Sequence, residues 1–459
     1  MVFRDPSTPI LKLDNGRDFF IKGIVGRRDI YVTTPRQSME HPFHTVKYNG
    51  RRKVWTRGLF IVAFLLLSTL TIAVCGRNHY VYVRARVQQF NMWRFYRKAI
   101  RGGQSSGLDD LIDADGVVGN PTKYPASKCA LPNYLSKRGR IVAVSANGTE
   151  VPISIKGVNW FGMETEMGVP FGLWDNDTAG TTAYHIASFL ATNNFNTVRL
   201  PVMVDHVLKN SAPNKRMVNT FTNQALNVKS YLSLLQSVIK VLQFRHIGVL
   251  LSIHTLTATD NGGLWHNDDI SEAQFLDSYD ILTASLCSNE YWNVVGLDLK
   301  NEPGTRSYFY GDGGTFDPDT RELKGFVELS DDKLRRRVAD TMEDMFGYLV
   351  DEEPQYAVML GEFGGIYARD AHPKRTIQRI VDYNVQEMLA RGYAGGFLWS
   401  LNPESKYQYV SADTGSPVAT YGEGLLQNDW LTANSAYLEA VRPLDKLPHL
   451  RKFPCFSSE

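Results

Sequence analysis

Cysteine is scarce in this chain, with only four residues among 459, and so low a content excludes a small scaffold built on disulfides. No two cysteines are separated by just two residues, which disfavours zinc and thioredoxin-type sites. The glycine-rich loops G-x-G-x-x-G and G-x-x-x-x-G-K do not follow the first predicted strand, so a nucleotide-binding doubly wound sheet loses support. What remains is an ordinary globular composition, 43% apolar and 21% charged.

The two signs of charge are unevenly distributed, although the formal net charge is only +2. Residues 1–101 contain 19 Lys and Arg against 5 Asp and Glu, a net of +14. The remaining residues contain 31 against 43, a net of −12. Because an acidic body lacks the clustered cations that neutralise phosphates, the sequence predicts no nucleic-acid partner.

One uncharged run of 19 residues, from Gly58 to Gly76, lies within the basic region. As a helix it would be about 28 Å long, which is close to the thickness of the hydrocarbon core of a bilayer. A buried helix of a globular protein usually keeps a polar face, which this run lacks. A cleaved signal peptide starts close to the N-terminus, whereas 57 residues precede this run. The sequence therefore predicts a transmembrane signal anchor at 58–76.

The orientation of this anchor is predicted from its flanks. Five Lys and Arg residues at 47–57 favour a cytoplasmic N-terminus, although further arginines at 77–94 weaken the asymmetry. Two sequons, at Asn147 and Asn176, favour a lumenal or extracellular body and are candidate glycosylation sites. We therefore expect a single-pass type II membrane protein.

Composition divides the chain into four predicted regions. A basic cytoplasmic tail (1–57) precedes the anchor, and a juxtamembrane stem with a Gly-, Ser-, Asp- and Pro-containing linker (77–128) follows it. The folded domain spans 129–459. It contains three cysteines, of which Cys129 and Cys455 bracket the domain and would tie its ends together in a disulfide. The alternative is three buried free thiols, with Cys287 as the third.

Beyond Cys129, short apolar runs alternate with amphipathic segments of helical length. In 221–246, for example, Leu235, Val238, Ile239 and Leu242 recur at the spacing of one helical face. Apolar strands alternating with helices indicate an α/β fold with a parallel sheet, and a (β/α)₈ TIM barrel is favoured. The predicted strands are 151–160, 196–202, 248–254, 294–303, 356–364 and 395–403, and the other predicted helices are 271–289, 332–350 and 373–391.

Polar and aromatic residues follow the strands, where a barrel places its chemistry. Two carboxylates on different strands are what glycoside hydrolysis requires, one as acid and one as nucleophile. One such residue alone is as often an ion-pair partner or part of the core, but those alternatives do not explain the whole set. The strand-end residues are Asn159, Trp160, Arg199, His254, Asn301, Glu302, Glu362 and Trp399.

All of these residues except His254 lie in phrases that resemble glycoside hydrolase family 5, the cellulase family. The resemblance runs from about residue 156 to 403, with the landmarks in the family's order. The pair N-E-P and G-E-F-G at strand ends is its most specific part. The phrases are GVNWFGMET (157–165), NTVRLPV (196–202), VVGLDLKNEP (294–303), VMLGEFGG (358–365) and GGFLWSLNP (395–403).

The resemblance implies a retaining hydrolase of β-linked glucans, in which Glu302 is the acid/base and Glu362 the nucleophile. Arg199, His254, Asn301, Trp399 and Trp160 are then substrate-binding residues around the two carboxylates. The carboxylates supply acid, base and nucleophile, so neither metal nor other cofactor is expected. The expected partners are a β-glucan polysaccharide or oligosaccharide and, through 58–76, a membrane.

The sequence departs from the family between the two glutamates. Only 59 residues separate Glu302 from Glu362, whereas the intervening βα units of a complete barrel need about 90. No histidine is followed two places later by tyrosine, so the family's His-x-Tyr from strand six is missing. We expect an incomplete barrel of six strands, preceded by the transmembrane helix, with strands four and seven adjacent or separated by an opening.

An opening would expose unpaired backbone groups, so we expect marginal stability unless the loop 304–330 covers it. We also expect weak or absent activity. The rival hypotheses are a catalytically impaired carbohydrate-binding membrane protein and a degraded or mis-spliced product without stable function.

Overall fold

The structure is a computed structural model. It describes residues 58, 60–81, 121–174, 180–220, 222–259, 264–301, 329–364, 375–404, 406–410, 417–422 and 424–457. The described residues before and after position 90 belong to two compact units, which are treated separately. The predicted tail 1–57 and most of the predicted stem 77–128 lie outside the described residues, and so does most of the loop 304–330.

The described helices are α1 (Phe60–Val81), α2 (Ala183–Thr192), α3 (Val204–Lys209), α4 (Tyr231–Phe244), α5 (Glu272–Leu286), α6 (Asp331–Met342), α7 (Leu349–Glu352), α8 (Thr376–Arg391) and α9 (Ser435–Val441). The described strands are β1 (Cys129–Ala130), β2 (Asn133–Lys137), β3 (Arg140–Val144), β4 (Glu150–Ile153), β5 (Ile155–Asn159), β6 (Thr197–Met203), β7 (Gly248–Thr255), β8 (Val294–Asp298), β9 (Met359–Gly364), β10 (Gly395–Trp399), β11 (Lys406–Val410), β12 (Pro417–Gly422) and β13 (Phe456–Ser457).

The apolar run near the N-terminus is helical. Helix α1 has 22 residues and is long and apolar enough to cross a membrane. The hydroxyls of Thr69 and Thr71 donate to the carbonyls of Leu66 and Leu67 at 2.9 and 2.8 Å, so these polar groups are satisfied within the helix. Such a helix is a signal sequence or an anchor.

A curled parallel sheet of six strands forms the centre of the body, in the order β8-β7-β6-β5-β10-β9. In the barrel numbering used above, β5 to β8 are strands one to four, and β9 and β10 are strands seven and eight. The prediction of six recognisable strands is confirmed. In the described part of the chain β8 and β9 form the two edges of the sheet, so strands four and seven are separated. Whether a segment has been lost between them stays a prediction.

Burial follows the position of each strand in this sheet. Every residue of β5, β6 and β10 is buried, which accounts for their nearly continuous apolar sequences. In β8 only Val294 is fully buried, and the rest of that strand is partly exposed. The inner strands therefore supply the core, and β8 and β9 border it.

The predicted strand 151–160 is wrong in one respect, because the chain changes sheets inside it. Strand β4 pairs antiparallel with β3 in a three-stranded sheet, whereas β5 pairs in parallel with β6 and β10. Pro152 lies in β4, which is an edge strand of that small sheet, where a residue without a backbone N–H is tolerated. The predicted strand 294–303 also ends early, since β8 stops at Asp298.

Helix α4 forms where its apolar stripe predicted one, but it is shorter than the range 221–246. The Ser230 side chain accepts from the backbone N–H of Ser233, and the Ser233 hydroxyl accepts from the backbone N–H of Ser230. This reciprocal capping box starts the helix at Tyr231. The predicted helix 332–350 is divided into α6, a π-helical turn at Glu343–Gly347 and α7.

The amino ends of the parallel strands are closed by the two termini of the body. Cys129 and Cys455 form a disulfide with their Cα atoms 5.0 Å apart, next to the antiparallel pair β1 and β13. The single-disulfide alternative is therefore confirmed, and Cys287 is an exposed free cysteine. Phe453 packs on Gly248, where a Cβ atom would come within 2.7 Å of its ring.

We expect the Cys129→Ser/Cys455→Ser double variant to lose about 2–5 kcal/mol of unfolding free energy, because the disulfide closes a very long loop. Cys287→Ser is the matched control and should stay within about 0.5 kcal/mol of the wild type, since its thiol is exposed. Denaturant unfolding of the detergent-solubilised chain measures both. Equal midpoints for the two variants would contradict a stabilising disulfide.

Candidate active site

Arg199 is the centre of the polar network at the carboxyl ends of the sheet. Its side chain is only 2% exposed, although it carries a charge. Its Nη1 donates to Glu362 Oε1 at 2.6 Å and to Asn159 Oδ1 at 2.9 Å. Its Nη2 donates to the Ser252 hydroxyl at 2.7 Å and to Asn301 Oδ1 at 3.0 Å. The guanidinium therefore joins four segments of the sheet.

Asp298 completes this network and was missed by the sequence analysis. Its Oδ2 accepts from Arg199 Nε at 3.0 Å and from Arg199 Nη2 at 2.6 Å. The hydroxyl of Ser252, which lies opposite Asp298 in the β7–β8 register, donates to the same oxygen at 2.9 Å. The available signal was a single charge at the end of the otherwise apolar strand VVGLD.

Two carboxylates thus share one buried cation. Burial by itself lowers the pKa of Arg199, but the charges and hydrogen bonds of Glu362 and Asp298 outweigh it and raise that pKa above its usual value. The guanidinium is therefore protonated beside the two carboxylates. The predicted nucleophile, Glu362, lies on β9 with its side chain 10% exposed.

Asn301 links Arg199 to His254. Because its Oδ1 accepts from Arg199, its amide Nδ2 faces His254 Nε2, at 3.2 Å. The Asn301 amide is therefore the donor and His254 Nε2 the acceptor in this contact. Lys300 is buried beside this pair, and its Nζ donates to the carbonyls of His254 and Asn301, both at 3.0 Å. These contacts fix the backbone immediately before Glu302, which itself lies outside the described residues.

Trp399 lies beside His254 at the end of β10. The two rings are nearly parallel, 13° apart with centroids separated by 5.8 Å, and the Phe161 ring is also nearly parallel to Trp399 at 5.4 Å. Aromatic contacts continue from Phe161 to Phe171 and from Phe171 to Trp174. An aromatic row therefore extends from the buried Trp399 and Phe161 to the partly exposed Trp174.

Two other predicted residues lie away from the network. Trp160 is fully buried in the core, and its indole N–H donates to the Phe171 carbonyl at 2.9 Å. Asn147 is exposed in the turn between β3 and β4, where its Oδ1 accepts from the Thr149 hydroxyl at 2.8 Å. The second sequon residue, Asn176, lies outside the described residues.

The structure thus brings together the predicted residues Asn159, Arg199, His254, Asn301, Glu362 and Trp399, and adds Ser252 and Asp298. A buried carboxylate held by a permanent cation, next to an imidazole and an aromatic face, is an arrangement that can stabilise positive charge on a bound sugar. Within the part of the chain that the structure describes, His, Cys, Asp and Glu do not gather in threes that would suit a metal ion.

The chain is similar to known cellulases. Residues 144–308 match the family model of cellulase, glycosyl hydrolase family 5. The major extracellular endoglucanase of Xanthomonas campestris pv. campestris is 26% identical over 360 residues, which cover 64% of this chain and 68% of that protein.

Solved structures share the fold. A cellotetraose complex of the endocellulase from Pyrococcus horikoshii superposes with a TM-score of 0.53 at 23% identity, covering 69% of this chain and 99% of that one. The catalytic domain of the Xanthomonas endoglucanase gives 0.52 at 23% identity, covering 68% and 99%. The chain is therefore similar to the cellulase family, glycosyl hydrolase family 5, in sequence over residues 144–308, and it shares its fold with two endocellulases.

Proposed function

We propose that the protein hydrolyses β-linked glucan with retention of configuration, using Glu362 as the nucleophile and Glu302 as the acid/base. One observation carries the proposal: the Glu362 carboxylate, almost buried at the carboxyl end of β9, is held at 2.6 Å by the buried Arg199. An attacking carboxylate must be held in a fixed direction, and a buried guanidinium provides that.

In the first step a Glu362 oxygen attacks the anomeric carbon while Glu302 gives its proton to the departing glycosidic oxygen. In the second step Glu302 takes a proton from water, the water oxygen attacks the same carbon, and the Glu362 carboxylate is released. Asn301 supports this assignment because its contacts with Arg199 and His254 hold the chain directly before Glu302. The aromatic row from Trp399 to Trp174 supports a glucan as the bound chain.

The location follows from α1. We propose that α1 anchors the protein in a membrane, that residues 1–57 are cytoplasmic, and that the body is extracellular or lumenal. The disulfide of the body supports this placement because disulfides persist in oxidising compartments. The exposed position of Asn147 leaves that sequon accessible for glycosylation.

A second candidate function is glycan binding with weak turnover or none. It is favoured by the two edges, β8 and β9, that the described strands leave in the sheet. The two functions share the aromatic row and differ in the efficiency of the carboxylate pair. Release of reducing sugar from a soluble β-1,4-glucan separates them, since a binding protein would retain the glucan and release none.

We expect Glu362→Gln to lower kcat for a soluble β-glucan by about 10³-fold or more, because the amide cannot attack the anomeric carbon. Glu302→Gln should strongly lower the rate of hydrolysis of natural substrates. It should lower the rate of glycosyl-enzyme formation least for aryl glycosides, whose leaving group needs no proton. Reducing-sugar and chromophore release measure the two effects.

Glu387→Gln is the matched control for these variants. Glu387 is a helical carboxylate paired with Arg391 at 3.2 Å, away from the network, and kcat should stay within about twofold of the wild type. Turnover that persists in both Glu302→Gln and Glu362→Gln would disprove the assignment of roles.

We expect the body to resist digestion when sealed membrane vesicles with their cytosolic side outward are treated with protease, because the bilayer separates the body from the protease. Detergent should remove the protection. Immunodetection of the body is the measurement, and an Asn147→Gln variant reports whether a glycan adds mass. Digestion of the body in intact vesicles would reverse the proposed orientation.

A further inference from the structure

Asp298 contacts Arg199 at the edge of the guanidinium that does not face Glu362. A single oxygen, Oδ2, accepts from both Nε and Nη2, whereas Glu362 is bound through Nη1. The guanidinium is planar and rigid, so holding the Nε–Nη2 edge also fixes the direction of Nη1. Asp298 therefore orients the donor that reaches Glu362.

Charge gives Asp298 a second role. Glu362 alone would neutralise Arg199 in the resting site, so the second carboxylate is in excess there. In the covalent step one Glu362 oxygen forms a bond to the anomeric carbon, the bond to the leaving oxygen breaks, and the carboxylate becomes an uncharged ester. Among the described residues Asp298 is then the carboxylate still in contact with the buried cation.

We propose that Asp298 is a positioning residue that keeps Arg199 oriented towards Glu362 and keeps its charge compensated while Glu362 is esterified. The proposal rests on the proposed function, because it concerns the intermediate of that reaction. A buried cation left without an anion is strongly destabilising, so loss of the Asp298 charge raises the energy of the intermediate. It slows formation of the intermediate more than its hydrolysis, since hydrolysis restores the Glu362 carboxylate.

The chain contains a matched ion pair away from the site. Lys156, with its side chain 3% exposed, pairs with Asp445 at 2.6 Å, and Asp445 is 32% exposed. The Arg199–Asp298 ion pair has the same N–O distance, 2.6 Å, and its side chains are similarly exposed, 2% for Arg199 and 27% for Asp298. Asp445 lies in the short helical turn Arg442–Lys446, near the C-terminal end of the body. Asp445→Asn therefore removes an equivalent charge without touching the proposed catalytic network.

The test compares the full-length, detergent-solubilised wild type with Asp298→Asn and Asp445→Asn on dinitrophenyl β-cellobioside, whose leaving group needs no proton. We expect Asp298→Asn to slow formation of the glycosyl-enzyme about 10- to 100-fold and its hydrolysis by less than about threefold, with the dissociation constant of the bound substrate nearly unchanged. Asp445→Asn should change each rate by less than about twofold. Rapid-quench kinetics and intact-mass detection of the ester separate the steps.

Two further variants test the same inference if the Asp298→Asn protein does not fold. Ser252→Ala removes the hydroxyl that donates to Asp298 and should give a smaller loss with the same preference for the first step. Asp298→Glu restores the charge and should recover part of the rate. Equal slowing of both steps, or equal effects of Asp298→Asn and Asp445→Asn, would overturn the inference while leaving the proposed function intact.

A readout independent of turnover is the double-variant cycle of Asp298→Asn with Glu362→Gln. Because either carboxylate alone still compensates Arg199, we expect the double variant to lower the urea midpoint by more than the sum of the two single losses. The cycle of Asp445→Asn with Glu362→Gln should be additive. An additive Asp298 cycle overturns the inference, whereas an inactive wild type overturns the proposed function and, with it, the assignment to the intermediate.

Discussion

Burial of one guanidinium is the constraint on which the carboxyl end of the sheet depends. A charge that is 2% exposed is tolerated only when acceptors and counter-charge surround it. Arg199 on β6 obtains these from β5, β7, β8 and β9, through Asn159, Ser252, Asp298 and Glu362. Satisfying this one side chain therefore fixes the relative positions of strands that are distant in sequence, and the nucleophile proposed here is one of the fixed groups.

The site residues that could be predicted are those that lie in or directly after apolar runs of the sequence. Apolar runs that contain Arg199, His254 and Glu362 or lead to Asn301 indicate strands, and a parallel sheet places such strands side by side. Asp298 was not predictable in the same way, because its role depends on lying opposite Ser252 in the β7–β8 register. Register is decided by which strands pair, and no local pattern in VVGLD specifies the partner.

The secondary-structure elements also differ in whether their local sequence pattern predicted them. The six parallel strands were predicted because burial on both faces leaves an almost continuous apolar sequence. The antiparallel sheet of β2, β3 and β4 was not predicted, since half-exposed strands have weaker patterns, and helices α2 and α9 were not predicted because they are short. The change of sheets between β4 and β5 is hidden for the opposite reason: the residues on both sides of Ser154 are equally apolar and extended.

Because β8 is an edge strand, the polar network also helps to attach it to the sheet. Among the described strands β8 pairs only with β7, and most of its side chains are partly exposed, so the ladder and the core hold it less firmly than β5 or β6. Side chains supply further attachment. Asp298 is bound to Arg199 and Ser252, and the Tyr279 hydroxyl on α5 donates to the Leu299 carbonyl just beyond the strand. Because the buried cation anchors an edge strand as well as the proposed nucleophile, a change that weakens the site also loosens the border of the sheet.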